Sequence, residues 1–219
     1  MTDVNKNWAM VEHANRWKDR TRGWWESAHS SVTYNTKDCS TTSFQPGGNI
    51  ISSINRAAHR VIKSGKDLLG LGRWCWTRLR GRHDVVTTII TAYQPCQASN
   101  RAGSIRTYAQ QLRVFDTIGY GRNPQNAIME DLGEFIEECN ESNNQIILMM
   151  DCNENVENPG FKAWLESLGL TDIIPVTHGG SAPPTYHRGS KQIDGIFVSR
   201  TIHPIHSEFL PFGEFPPDH

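Results

Sequence analysis

Three apolar runs of this 219-residue chain end or begin on a polar residue. "TIITAYQP" offers Tyr93, "IILMMDCNEN" offers Asp151 and Asn153, and "KQIDGIFVS" offers Asp194 near its start. The chain closes on "PPDH", which adds Asp218 and His219. A strand end projects side chains into a cleft from a rigid base, so these residue types suit hydrolytic chemistry. On an extended chain, residues two apart point to the same side, which would let Asp151 and Asn153 face one ligand together. A carboxylate with an amide oxygen suits a hard cation such as Mg²⁺. Each residue also has an ordinary structural reading. A D-x-N after a strand commonly forms an Asx turn, and "DCNENVENPG" is rich in turn residues. Tyr93 could equally be a core residue, Asp194 a turn cap, and Asp218 with His219 a tail. The set, in this order, raises the chemical reading above those.

The elements that must position these residues are legible as patterns. Val85 to Pro95, "VVTTIITAYQP", is β-branched and apolar on both faces, which predicts an interior strand that Pro95 ends. Ile128, Leu132, Phe135, Ile136 and Cys139 recur at helical spacing, with Glu130, Asp131, Glu134, Glu137 and Glu138 between them. That spacing predicts an amphipathic helix with a solvated acidic face. "QIILMM" predicts a buried strand, "GFKAWLESLG" a helix capped by Gly169, and "QIDGIFVS" another strand. Val85 to Ser199 thus runs strand, helix, strand, helix, strand, which implies layered α/β packing. Upstream, "NWAMVEHANRWKDRTRGWWES" reads as a short helix and an irregular stretch. From "SSVTYN" onward, "FQPGGN", "IISSINRAAHRVI", "SGKD" and "GRWCWTRLRGRHD" read as strand and turn units.

Composition bounds the function. Residues 1–219 fit one domain, which at this length buries roughly 70% of its unfolded surface. A hydrophobic fraction of 37%, a charged fraction of 21% and a net charge of -1 exclude a globally basic binder, so any nucleic-acid contact is local. The absence of a long apolar run and of a signal-like start predicts no membrane association and an intracellular site, nucleus or cytoplasm. Cysteines 39, 75, 96, 139 and 152 form no C-x-x-C pair and read as free thiols rather than structural zinc ligands. Residues 56 to 83 hold Arg56, Arg60, Lys63, Lys66, Arg73, Arg78, Arg80 and Arg82 against Asp67, with Trp74 and Trp76 between. Phosphate-pairing cations with stacking aromatics fit nucleic acid, with Arg73, Arg78, Arg80 and Trp76 as candidate contacts. Cations guarding an edge strand against aggregation are the competing reading.

The ordered set "TAYQP", "MMDCN", "QIDGIFVS" and "PPDH" resembles the endonuclease/exonuclease/phosphatase superfamily, whose deoxyribonuclease-I-like fold is a four-layer αββα sandwich. The likeness runs from "FQPGGN" to the last residue, and "GRWCWTRLRG", "TYAQQLRVF" and "APPTYHRGSKQIDG" resemble endonuclease-like domains linked to retroelement reverse transcriptases. The resemblance implies that Asp151 and Asn153 contact the scissile phosphate and activate or orient water, while Tyr93 hydrogen-bonds the phosphate. It makes His219 an acid/base whose other ring N–H is accepted by Asp194, and Asp218 a metal-side carboxylate. Mg²⁺ (or Mn²⁺) would neutralise charge developing on the phosphoryl oxygens. The family's opening strands, carrying an Asn and a Gln-Glu whose Glu is the principal metal ligand, are not visible. Asp3 falls where that Glu is expected, and the chain stops inside the closing motif, so the expected α/β fold is incomplete at its N- and C-termini. The function implied is a Mg²⁺-dependent endonuclease acting as a monomer on nucleic acid, with DNA as the first expectation. An inactive remnant that at most binds nucleic acid, and a phosphatase of a small phosphate ester or lipid, are the alternatives.

Overall fold

The structure, a computed structural model, describes residues 19–37, 47–97, 106–177, 179–180, 182–186, 189–205 and 207. Asp3, Asp218 and His219 lie outside them, as do residues 44–46 of "FQPGGN". Residues 19–24 are helical. Then follow β1 (Ala28–Tyr34), β2 (Gly48–Ile54), β3 (Val61–Lys66), β4 (Trp74–Arg80) and β5 (Val86–Tyr93). The second half is α1 (Thr107–Ile118), α2 (Pro124–Glu141), β6 (Gln145–Asp151), α3 (Pro159–Ser167), β7 (Leu170–Asp172), α4 (Ile173–Thr177) and β8 (Asp194–Ser199).

Six strands make one sheet in the order β3-β4-β5-β6-β8-β7, parallel between β5 and β6 and antiparallel elsewhere. The parallel pair needs a crossover, and α1 with α2 supplies it. One face of the sheet carries the main core. Ile90, Ile146, Leu148 and Phe197 meet the stripe Ile128, Leu132, Ile136 and Cys139 of α2 and Phe161 and Leu165 of α3. Each large apolar side chain fully buried there stabilises the fold by roughly 1.5–3 kcal/mol. Both helices start on an Asn cap followed by Pro. The Asn123 side chain accepts from the Asn126 N–H and that of Asn158 from the Gly160 N–H. Gly169, at φ 70°, follows α3 in the left-handed region, as the sequence predicts for its cap.

The other face is covered over β3, β4 and β5 by the antiparallel pair β1–β2. That interface is partly polar. Ser31 Oγ donates to the Gly65 carbonyl at 3.3 Å, and Thr91 Oγ1 donates to Asn49 Oδ1 at 3.4 Å. Among the described residues no helix is long and apolar enough to cross a membrane.

"SGKD", expected as a turn, is strand up to Lys66. Gly65 is there because the Trp76 indole lies against it, and a Cβ would sit 2.5 Å from Trp76 Cζ2. Glycine in this stretch marks a close approach rather than a bend.

A buried ion network joins the sheet to α2. Arg73, 1% exposed, donates from Nε and Nη2 to both oxygens of Asp67 at 2.9 and 2.8 Å, and from Nη1 to Asp131 at 2.7 Å. Asp67 also accepts the N–H groups of Leu69 and Leu71. Asp131 therefore departs from the expected solvated acidic face, since it accepts from Arg73 and from the Tyr120 hydroxyl at 2.5 Å. Removing one member of a buried pair strands the other charge without water. Arg73→Ala is expected to lower the urea-unfolding free energy by about 3–5 kcal/mol. Arg80→Ala, at an exposed position, is expected to change it by no more than about 0.5 kcal/mol.

Candidate active site

The sheet register brings three of the predicted residues into one row. Tyr93 ends β5 and pairs with Asp151, which ends β6, and Asp151 pairs with Asp194, which opens β8. Register partners lie about 5 Å apart at Cα, so the three side chains share one face at one end of the sheet. Asp151 is 4% exposed, while Tyr93 and Asp194 are half-buried. Like charges placed directly opposite weaken a sheet. Asp151 facing Asp194 is thus an arrangement that folding alone would not favour, in the manner of reactive sites.

Asn153 reaches the row by a turn, which corrects the extended-chain expectation. Its φ is 47°, and its backbone N–H donates to Asp151 Oδ1 at 3.1 Å, closing an Asx turn. Its side chain clamps the end of β5. Nδ2 donates to the Gln94 carbonyl at 2.7 Å, and Oδ1 accepts from Cys96 Sγ at 2.6 Å. The ladder continues past the strands, with Gln94 N–H donating to the Asp151 carbonyl and Cys152 N–H to that of Ile193. Thr185 Oγ1 accepts the N–H groups of Ile193 and Asp194 and so fixes the start of β8. Gln94 Nε2 donates to Glu154 at 3.3 Å. Neither Gln94, Glu154 nor Thr185 announces itself in sequence, although Gln94 and Thr185 lie inside "TAYQP" and "APPTYH".

Asp151 and Asp194 are the oxygen donors a hard divalent cation takes. Their negative field is felt locally: burial first, then Asp151, Asp194, Glu154 and Asp172, push the Cys152 thiol well above its ordinary range. The described residues nevertheless contain no group of three or more His, Cys, Asp or Glu able to hold a metal ion. Asp3 and Asp218, expected as metal ligands, and His219, expected as acid/base, are outside the described residues. Among the described residues the donor set is incomplete for Mg²⁺ or Mn²⁺.

The expected nucleic-acid residues separate. Arg73 is internal, consumed by Asp67 and Asp131, and leaves the patch. Trp76 is half-buried and stacked on Phe135, and Arg78 lies over its ring at 4.9 Å with Nη2 donating to Cys139. Arg80 is exposed. The hairpin thus mixes core members with solvent-facing cations, and the bulge and Lys63 on edge strand β3 are devices that blunt an open edge.

No family model matches the sequence, and no curated protein matches it. Solved structures do match. The catalytic domain of human Nocturnin, solved with a bound sulfate anion, aligns at 12% identity and TM-score 0.53 over 90% of this chain and 68% of that one. The APE2 catalytic domain of Xenopus laevis aligns at 12% identity and TM-score 0.53 over 84% and 70%. A mannosyl-6-phosphatase of Bacteroides thetaiotaomicron aligns at 12% identity and TM-score 0.50 over 86% and 68%. The chain shares the fold of these structures, the deoxyribonuclease-I-like fold that the resemblance implies.

One carboxylate beneath the row has a pH signature. Burial holds the Asp172 pKa above its ordinary 3.8, although the Ile174 N–H and Gln192 Nε2 donate to it. Below pH 3.8 the group is neutral in both states and folding carries no ionisation penalty. The stability it contributes there is lost as pH rises through the higher folded value, because the folded state must then ionise a half-buried carboxyl. Asp172→Asn removes that dependence. Gln192, whose buried Oε1 has no hydrogen-bond partner among the described residues, can rotate to accept from the new amide. Urea midpoints are expected to favour Asp172→Asn over the parent at neutral pH by more than they do below pH 3.8.

Proposed function

We propose that the chain is a phosphoesterase that hydrolyses phosphodiester bonds in nucleic acid, DNA first, at the Tyr93–Asp151–Asp194 row. The observation that carries this reading is the register that sets two carboxylates opposite each other beside a tyrosine at the ends of three neighbouring strands. A fold held in common with the Nocturnin and APE2 catalytic domains and with a mannosyl-6-phosphatase supports it.

The chemistry fits the residue types. The Tyr93 hydroxyl donates to a non-bridging phosphate oxygen, and the Asx turn at Asn153 holds the Asp151 carboxylate in place. A water attacks phosphorus while Asp151 accepts its proton, and the departing sugar oxygen takes a proton from a general acid. The resemblance gives that last role to His219, with Asp194 orienting its ring. A preorganised polar group at such a centre is worth on the order of 10²- to 10³-fold in rate.

The test is nicking of supercoiled plasmid in Mg²⁺ buffer by this chain and by Asp151→Ala, with circular dichroism confirming that both fold. The expected result is cutting by the parent and a loss of about 10²- to 10³-fold in the variant. Equal cutting by both would remove the row from the chemistry. No cutting by the parent, with hydrolysis of a sugar phosphate, would transfer the site to small esters. No hydrolysis of either leaves a non-catalytic domain.

A further inference from the structure

A cationic cavity sits at the other end of the sheet from the row. A 3₁₀ turn, Asn55–Arg60, meets the end of β4 there. His59, Arg60, Val61, Ile62, Arg80 and Gly81 line a cavity of ≈ 300 Å³. Arg60 and Arg80 are exposed, as are Arg56 and Arg82 beside them in the chain. Among the described residues none of these four makes an ion pair, whereas Arg73 and Arg122 both do. The lining contains no carboxylate. Asp84, in the same turn as Arg82, is outside the lining. Cations gathered without ion-pair partners repel one another, and a fold keeps such a set only if solvent screens it or an anion joins it.

The position selects among anions. Arg80 pairs with Val86, and Tyr93 lies seven residues further along β5. At about 3.3 Å per strand residue, the cavity and the row are separated by ~23 Å along the strand axis. A small phosphate ester cannot touch both. A nucleic-acid duplex rises about 3.4 Å per base pair, so some seven base pairs cover that span. Guanidinium forks match phosphate oxygens in pairs, which favours a phosphate backbone over a diffuse anionic surface.

We infer that the Arg60–Arg80 cavity is a second, non-catalytic contact for the phosphate backbone of a nucleic acid, remote from the row. It rests on the nucleic-acid reading of the row for its biological purpose, but its binding chemistry stands alone. The contact favours polymers over small esters and carries no base preference.

The experiment measures binding of a 30-base-pair fluorescent duplex as a function of salt for the parent, Arg60→Ser/Arg80→Ser, Arg60→Lys/Arg80→Lys and the control Lys162→Ser. Hydrolysis of bis(4-nitrophenyl) phosphate is followed in parallel. The double serine variant is expected to lower the slope of log affinity against log salt by about two, while the lysine pair and the control keep the parent slope. Parent and double serine variant are expected to hydrolyse the small diester equally. An unchanged slope in the double serine variant overturns the inference, as does a parent that fails to bind duplex or that prefers phosphatidylserine vesicles to it. If neither protein hydrolyses the diester yet the slope falls, the reading of the row fails and the backbone contact stands.

Discussion

The active site proposed for this chain depends on the register of one strand. β6 is held by a parallel partner on one side and an antiparallel partner on the other, and the two ladders agree at Asp151. A slip of one residue in either would turn Asp151 toward the helical core and bring Met150 or Cys152 to the row, because side chains alternate between faces. The core forbids that slip. Ile146, Leu148 and Met150 are buried against α2 and α3, and no polar group could replace them without loss of a hydrogen bond or of apolar burial.

The Arg73 network does for the third dimension what the register does within the sheet. Its guanidinium ties the 67–73 segment to α2 through Asp131, and its own carbonyl accepts the Tyr93 N–H at 2.9 Å and Asn49 Nδ2 at 3.0 Å. The end of β5 therefore inherits its position from a buried ion pair as well as from its neighbours. Such a pair rarely adds net stability over a well-packed apolar cluster, but it tolerates only one geometry. Here that geometry is the one that sets the height of Tyr93.

How much of this was legible in sequence followed from how regular each element is. β5, β6, β8, α2 and α3 carry strong apolar patterns and stand where the patterns place them. α1 was invisible because Thr107, Gln110 and Gln111 are buried polar residues that break its stripe, and β7 is three residues long. Charge was the least legible property. Arg73 and Arg80 look alike in "GRWCWTRLRGR", and only the tertiary partners Asp67 and Asp131 separate an internal arginine from a solvent-facing one. The D-x-N motif gave the right neighbours by the wrong route, since a positive φ at Asn153, and not strand alternation, brings it back to Asp151.

The central claim is that Asp151 and Asp194 act as one unit because the register makes them neighbours. A double-mutant cycle on phosphodiester hydrolysis tests it most directly, with Asp151→Asn, Asp194→Asn and the pair compared with the parent. Residues that serve one step are strongly non-additive, so the account predicts that the second substitution costs almost nothing once the first has been made. Rate losses that multiply independently, or an Asp194→Asn variant as fast as the parent, would contradict it.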